Sequence, residues 1–189
     1  MKVINETFEN AGLSHYLVKT SNSLELKDAV KANSDFWAEK PIKRGQLWDD
    51  LINGHSSGAG VLTGKPLGQN FPVVDRLLVD ERILVSTKSL DVSLKGYQNP
   101  KKLEKVLNDY VEDLRNFENN KHFNAAGIIK WGETTLSTSD YDKKVIEIIL
   151  PDTIITEDSL AVLQKFLTDT PKEKDNFGNI VDVWYRIGK

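Results

Sequence analysis

The sequence predicts an α/β fold, a mixed β-sheet flanked by helices. Three observations predict it. Two apolar runs, "FPVVDRLLV" at 71–79 and "RILVSTK" at 82–88, are separated only by Asp80 and Glu81, the signature of an antiparallel hairpin. Two later runs, "KKVIEIILP" at 143–151 and "NIVDVWYRI" at 179–187, are rich in β-branched residues and read as further strands. Segments of helical period lie between them, which places helices against a mixed sheet.

The elements follow in order. Leu24, Leu26, Ala29, Val30 and Phe36 are loosely periodic in "LELKDAVKANSDFWAEK" and predict a helix that Pro41 closes. Residues 1–39 are therefore expected to form an N-terminal helical segment or subdomain, and residues 40–189 the main domain. "PIKRGQLWDDLING" has proline at its start and Gly54 past its end, the boundary signals of a second helix. Gly45 lies inside that helix at a cost of about 1 kcal/mol against alanine, so a reason for it is expected. Residues 53–70 read as a glycine-rich loop. Its "GKPLG" lacks the GKS or GKT ending and the following helix that a phosphate loop needs. "PKKLEKVLNDYVEDLRNFE" opens on Pro100 and carries Leu103, Val106, Leu107, Tyr110, Val111, Leu114 and Phe117 at i, i+3, i+4, i+7 spacing, an amphipathic helix. "AGIIKWG" at 126–132 predicts a short strand. "TEDSLAVLQKFL" predicts a helix, with Thr156 as cap and acids in its first turn.

Composition narrows the function classes. The 189 residues are 39% hydrophobic and 28% charged, proportions that support one well-filled core. No run of eighteen apolar residues is present, so no stable membrane association is expected. The first twenty residues lack the apolar core and cleavage site of a secretory signal peptide. Delivery outside the cell is then expected only as part of a larger protein or by another route. Without cysteine there are no disulfides, thiolate nucleophiles or zinc–thiolate sites, and His15, His55 and His122 lack metal-ligand spacing. The net charge is −3, yet residues 40–105 hold 11 Lys and Arg against 7 Asp and Glu, a local excess of +4 suited to an anionic ligand.

Polar residues at apolar positions locate the chemistry. Asp75 interrupts the first hairpin run and Lys88 ends the second. With the turn at 80–81 both lie toward one open end, and Ser86 shares a face with Lys88 because strand side chains alternate. Asp49 lies on the preceding helix, which can pack across that end. Two readings stand on these residues. In one, Asp75 pairs with Arg76 or Lys88 in a structural ion pair and Asp49 is a solvated helix residue. In the other, Asp75 and Asp49 supply oxygen ligands to Mg²⁺ for phosphodiester hydrolysis, and Lys88 orients the nucleophile or stabilises transition-state charge.

The wider pattern "RG(x)3D … NFPVVD … STKSLD … YQN … YVEDLRNF" resembles the C-terminal nuclease toxins of bacterial contact-dependent growth inhibition proteins (CdiA type). These belong to the PD-(D/E)xK restriction-endonuclease-like superfamily. The resemblance implies an αβββαβ core, a divalent metal such as Mg²⁺, a nucleic acid substrate with tRNA foremost, and a cognate immunity protein. It also implies delivery within a larger protein and action in the cytoplasm of a target cell. Carried over by residue, Asp75 matches the motif aspartate and Lys88 the motif lysine. Ser86 stands where many members have a second acid. Asp49 matches the helix acid, which is usually a glutamate. Lys95, Lys101 and Lys102 are the expected substrate contacts, with Lys105 beside them. A DNase of the same fold and a non-catalytic, immunity-type binding protein are the competing expectations.

Overall fold

The structure, a computed structural model, describes residues 2–3, 36–40, 42–47, 64–68, 70–151, 153–169 and 175–188. Its strands are β1 (Lys2–Val3), β2 (Lys65–Pro66), β3 (Arg76–Leu78), β4 (Ile83–Ser89), β5 (Ile128–Trp131), β6 (Thr134–Ser137), β7 (Lys143–Pro151), β8 (Ile154–Ile155) and β9 (Ile180–Gly188). Two long helices, α1 (Pro100–Arg115) and α2 (Glu157–Asp169), accompany them. The main sheet runs in the order β2-β3-β4-β7-β9. The first three strands pair antiparallel, and β4, β7 and β9 pair parallel. A helical turn at 42–47, three strands, α1 and β7 reproduce the expected αβββαβ order.

The central strand β7 occupies the predicted 143–151, and residues 144–151 are all buried. Burial on both faces explains its near-continuous apolar run. On one face Ile146, Ile148 and Leu150 pack with Val181, Val183 and Tyr185 of β9 beneath two helices. Leu103, Leu107, Val111 and Leu114 of α1 and Leu160, Leu163, Phe166 and Leu167 of α2 complete that core. Burying each such side chain stabilises the fold by about 1.5–3 kcal/mol. Pro100 takes the first position of α1 as expected, and Asn99 caps the helix through the amides of Lys101 and Lys102. Thr156 Oγ1 accepts from the Ser159 amide at 3.3 Å and caps α2.

Several elements differ from the sequence expectation. Strand β3 begins at Arg76, not at 71. The Val74 amide turns back to the Pro72 carbonyl at 2.7 Å, and Val73 sits at φ 65°. Pro72 has no N–H to give a ladder, so the chain bends until Asp75. Lys65 and Pro66, expected in a loop, form the short edge strand β2, an edge position that proline tolerates. The 126–132 strand pairs with the unforeseen β6 in a separate hairpin, outside the main sheet. The helix expected over 24–40 lies outside the described residues up to 35, and residues 36–38 form one 3-10 turn. Most of residues 1–39 also lie outside them, apart from Lys2 and Val3, which pair with β8. Of the helix expected over 41–54, residues 42–47 are described and helical.

Packing supplies no reason for Gly45. A Cβ built there meets nothing within 4 Å. Gly45→Ala is therefore expected to stabilise the protein by up to about 1 kcal/mol, read by thermal or urea unfolding. No helix among the described residues is long and apolar enough to cross a membrane.

Candidate active site

Three hydrogen bonds hold the loop before β3 against β4 and the end of β2. The Asp75 amide donates to the Val85 carbonyl at 2.9 Å, and the Leu67 amide donates to the Asp75 carbonyl at 3.0 Å. Ser86, 1% exposed, donates its hydroxyl to the Val73 carbonyl. That tie holds a β-branched residue in the left-handed region, a conformation that costs on the order of 1–3 kcal/mol and clusters at functional sites.

The result is a fixed Asp75. Its Oδ2 accepts from the Thr87 amide at 2.6 Å, while Oδ1 makes no hydrogen bond among the described residues. Burial pushes the Asp75 carboxyl above its usual range. The Lys88 charge, the Thr87 N–H and the Arg76 charge oppose that rise, and Glu147 adds to it. The carboxyl of Asp75 thus bonds the amide of the residue that precedes Lys88 on β4. Lys88 is half-buried on the same face of β4 as Ser86.

A raised folded-state value means that the native protein holds the Asp75 proton more tightly than the unfolded chain. The associated stability is full below the ordinary value of 3.8 and is lost as pH rises through the higher folded value. Asp75→Asn is therefore expected to raise the melting temperature of the metal-free protein at pH 7. The gain should shrink toward pH 4, as a thermal scan across pH would read.

Across the sheet from Lys88 lies a buried group that the sequence did not reveal as a site. Arg76 donates from Nη1 to Thr87 Oγ1 at 2.9 Å and from Nη2 to Glu147 Oε2 at 2.9 Å. Thr87 Oγ1 also donates to Glu147 Oε2 at 3.2 Å. The Arg76 and Glu147 side chains are 2% and 0% exposed. Its one legible signal was a lone glutamate inside "KKVIEIILP".

The remaining expected residues are placed as follows. Asp49, with Asp50 and Trp48, lies outside the described residues. Lys95, Lys101 and Lys102 are exposed on the turns after β4 and the first turn of α1, and none takes part in an ion pair among the described residues. Lys105 is paired with Asp109 at 2.6 Å. Arg44, 2% exposed, anchors the 42–47 turn to the end of β4 by donating to Ser89 Oγ at 3.3 Å, with its guanidinium 5.2 Å from the Trp37 ring centre. His122 is exposed and packs edge-on against Trp131. His15 and His55 lie outside the described residues.

Among the described residues no three acidic or histidine side chains gather as a ready cation cage. Asp75 Oδ1 nonetheless fits a hard divalent ion, because Mg²⁺ is commonly held by one or two carboxylates, waters and substrate phosphate.

Comparison with known proteins gives two findings. The family described as the CDI toxin restriction endonuclease-like domain matches residues 44–176, a span that includes Arg44, Asp75, Ser86 and Lys88. A chain of the solved "CdiA-CT/CdiI toxin and immunity complex from Yersinia pseudotuberculosis" is similar in fold, with a TM-score of 0.50 at 18% identity, covering 75% of this chain and 98% of that one. No curated protein matches the chain significantly.

Proposed function

The chain belongs to the CDI toxin restriction endonuclease-like family, and from that premise we propose that it is a metal-dependent endonuclease toxin. The observation that carries the reading is the Asp75 carboxyl held against the end of β4 by the Thr87 amide, next in sequence to Lys88, with one carboxylate oxygen fixed and the other open. Asp75 Oδ1 is the proposed protein ligand for Mg²⁺, and Asp49 is the second proposed ligand. A bound divalent ion supplies Lewis-acid polarisation of the scissile phosphate and a more acidic water. Lys88 places its positive charge where charge develops on the phosphoryl oxygens, a term often worth several kcal/mol. Ser86 serves the site by tying Val73 and so delivering Asp75. Lys95, Lys101 and Lys102 are the proposed phosphate contacts of the substrate backbone, and they position rather than specify.

The chemistry acts on the phosphodiester that RNA and DNA share. RNA, with tRNA first, is the substrate that the motif resemblance implies. DNA is the second reading, supported by the restriction-endonuclease-like character of the matched family. Residues 40–189 are the proposed nuclease unit, carried within a larger protein and acting in the cytoplasm of a target cell. A dedicated immunity protein is the proposed partner, a reading supported by the similar solved structure, which is itself a toxin and immunity complex. Incubating the protein with total tRNA and, separately, with plasmid DNA, each with Mg²⁺ or with chelator, tests the substrate. Loss of tRNA with intact plasmid supports the first reading, and the converse supports the second.

A further inference from the structure

We propose that Arg76, Thr87 and Glu147 form a positioning triad that aims the Thr87 amide at Asp75 and leaves Oδ1 as the oxygen open to a cation. The inference rests on the reading of Asp75 as a metal ligand and deepens it.

Stability alone does not account for the triad. A buried arginine–glutamate pair gains little net stability over apolar residues of similar volume, because desolvation offsets its attraction. This pair is also imperfect. Arg76 Nε is buried and has no hydrogen-bond partner among the described residues. Three of the bonds converge on one point. Arg76 Nη1 and Glu147 Oε2 hold Thr87 Oγ1 from two directions, and Arg76 Nη2 closes the ring on Glu147. Register explains the meeting, since Arg76 stands opposite Val85 and Thr87 stands beside Glu147. Side chains at 85 and 87 point to one face, so the three groups gather there while the Thr87 backbone serves Asp75.

The consequence concerns one proton. The Thr87 N–H bonds to a carboxylate at 2.6 Å rather than to a carbonyl of the neighbouring strand. Its direction depends on how firmly residue 87 is held. A clamped Thr87 fixes Oδ2 and thereby the orientation of Oδ1. Groups that orient a ligand in this way commonly affect metal affinity by roughly 10–100-fold.

Two measurements on the full chain test this, one free of metal. Hydrogen exchange at the amide of residue 87, corrected for intrinsic rates, reads the bond to Asp75 directly. Mn²⁺ binding without substrate reads the consequence. Thr87→Val keeps the shape and the amide but removes the hydroxyl. It is expected to speed exchange toward the rate in Asp75→Ala and to weaken Mn²⁺ binding by roughly tenfold or more, with the fold intact by circular dichroism. Thr87→Ser retains the hydroxyl and is expected to behave as wild type. Arg76→Lys cannot bridge both partners and is expected to follow Thr87→Val. Unchanged exchange and Mn²⁺ affinity in Thr87→Val overturn the triad, as does an equal loss in Thr87→Ser. If wild type and Asp75→Ala bind Mn²⁺ equally, the metal-ligand reading fails instead, and the exchange arm alone decides whether the triad positions Asp75.

Discussion

Alanine at Asp75 or at Lys88 is expected to lower nucleic acid cleavage by roughly 10³-fold while leaving the protein folded. The two losses have different causes. Asp75→Ala removes the carboxylate oxygen proposed to hold the metal, together with the acceptor of the Thr87 amide. Lys88→Ala removes a cation at the sheet end. Its half-buried side chain is in no ion pair among the described residues, but its charge offsets the burial of the Asp75 carboxylate. Lys88→Ala is therefore expected to lose some stability at pH 7 as well as rate, while remaining folded. Circular dichroism and thermal unfolding run beside the cleavage assay separate a chemical loss from unfolding. Full activity in both variants would remove Asp75 and Lys88 from the site.

The largest expected loss of stability lies elsewhere in the sheet. Lys144, at the start of β7, is fully buried. Its Nζ pairs with Glu118 Oε2 at 2.7 Å and with Asp175 Oδ2 at 2.5 Å. Glu118 Oε1 accepts from the Tyr141 hydroxyl at 2.8 Å and from Asn179 Nδ2 at 3.1 Å. Burial, then the Glu118 charge, pushes the Tyr141 hydroxyl far above its ordinary range, so it remains a donor. The cluster joins the 3-10 turn after α1, the start of β7 and the turn before β9. Lys144→Met leaves two buried carboxylates without their cation, a change expected to cost about 3–5 kcal/mol. That is a large share of the roughly 5–15 kcal/mol that holds a domain together. Lys144 pairs with Leu84 whereas Lys88 pairs with Ile148, so the cluster sits about 13 Å along the strands from the proposed site. Below its lowered melting temperature the Lys144→Met protein should still cleave. Urea unfolding and a cleavage rate at low temperature check the two halves of this prediction.

These two regions show what a sequence can and cannot reveal. The bounds of β7 and the start of α1 were legible because an apolar run bounded by charge and proline carries its own limits. That Asp75 reaches the strand carrying Lys88 was legible because a hairpin with a short turn fixes which residues meet. The bend at 71–75 was not, since Val73 and Val74 read as strand residues, although Pro72 within the run was a warning. β2 was hidden by its length of two residues, and β6 by the short, polar "TTLS". Glu147 is a lone charge within an apolar run and Lys144 stands at its edge, but neither position names a partner. Their partners Arg76, Glu118 and Asp175 are brought to them only by tertiary pairing, which no local period records. Lys95, Lys101 and Lys102, proposed as substrate contacts from charge, are exposed after β4. Asp49 remains an expectation from sequence, because it lies outside the described residues.

The most direct test is cleavage by the purified chain, stripped of metal by chelator and then titrated with Mg²⁺, beside the Asp75→Ala protein. Metal-dependent catalysis at Asp75 predicts no cleavage of tRNA or DNA in chelator, saturable recovery with Mg²⁺ in the wild type, and none in Asp75→Ala. Undiminished cleavage in chelator, equal cleavage by Asp75→Ala, or no cleavage of either polymer across several divalent metals would contradict it.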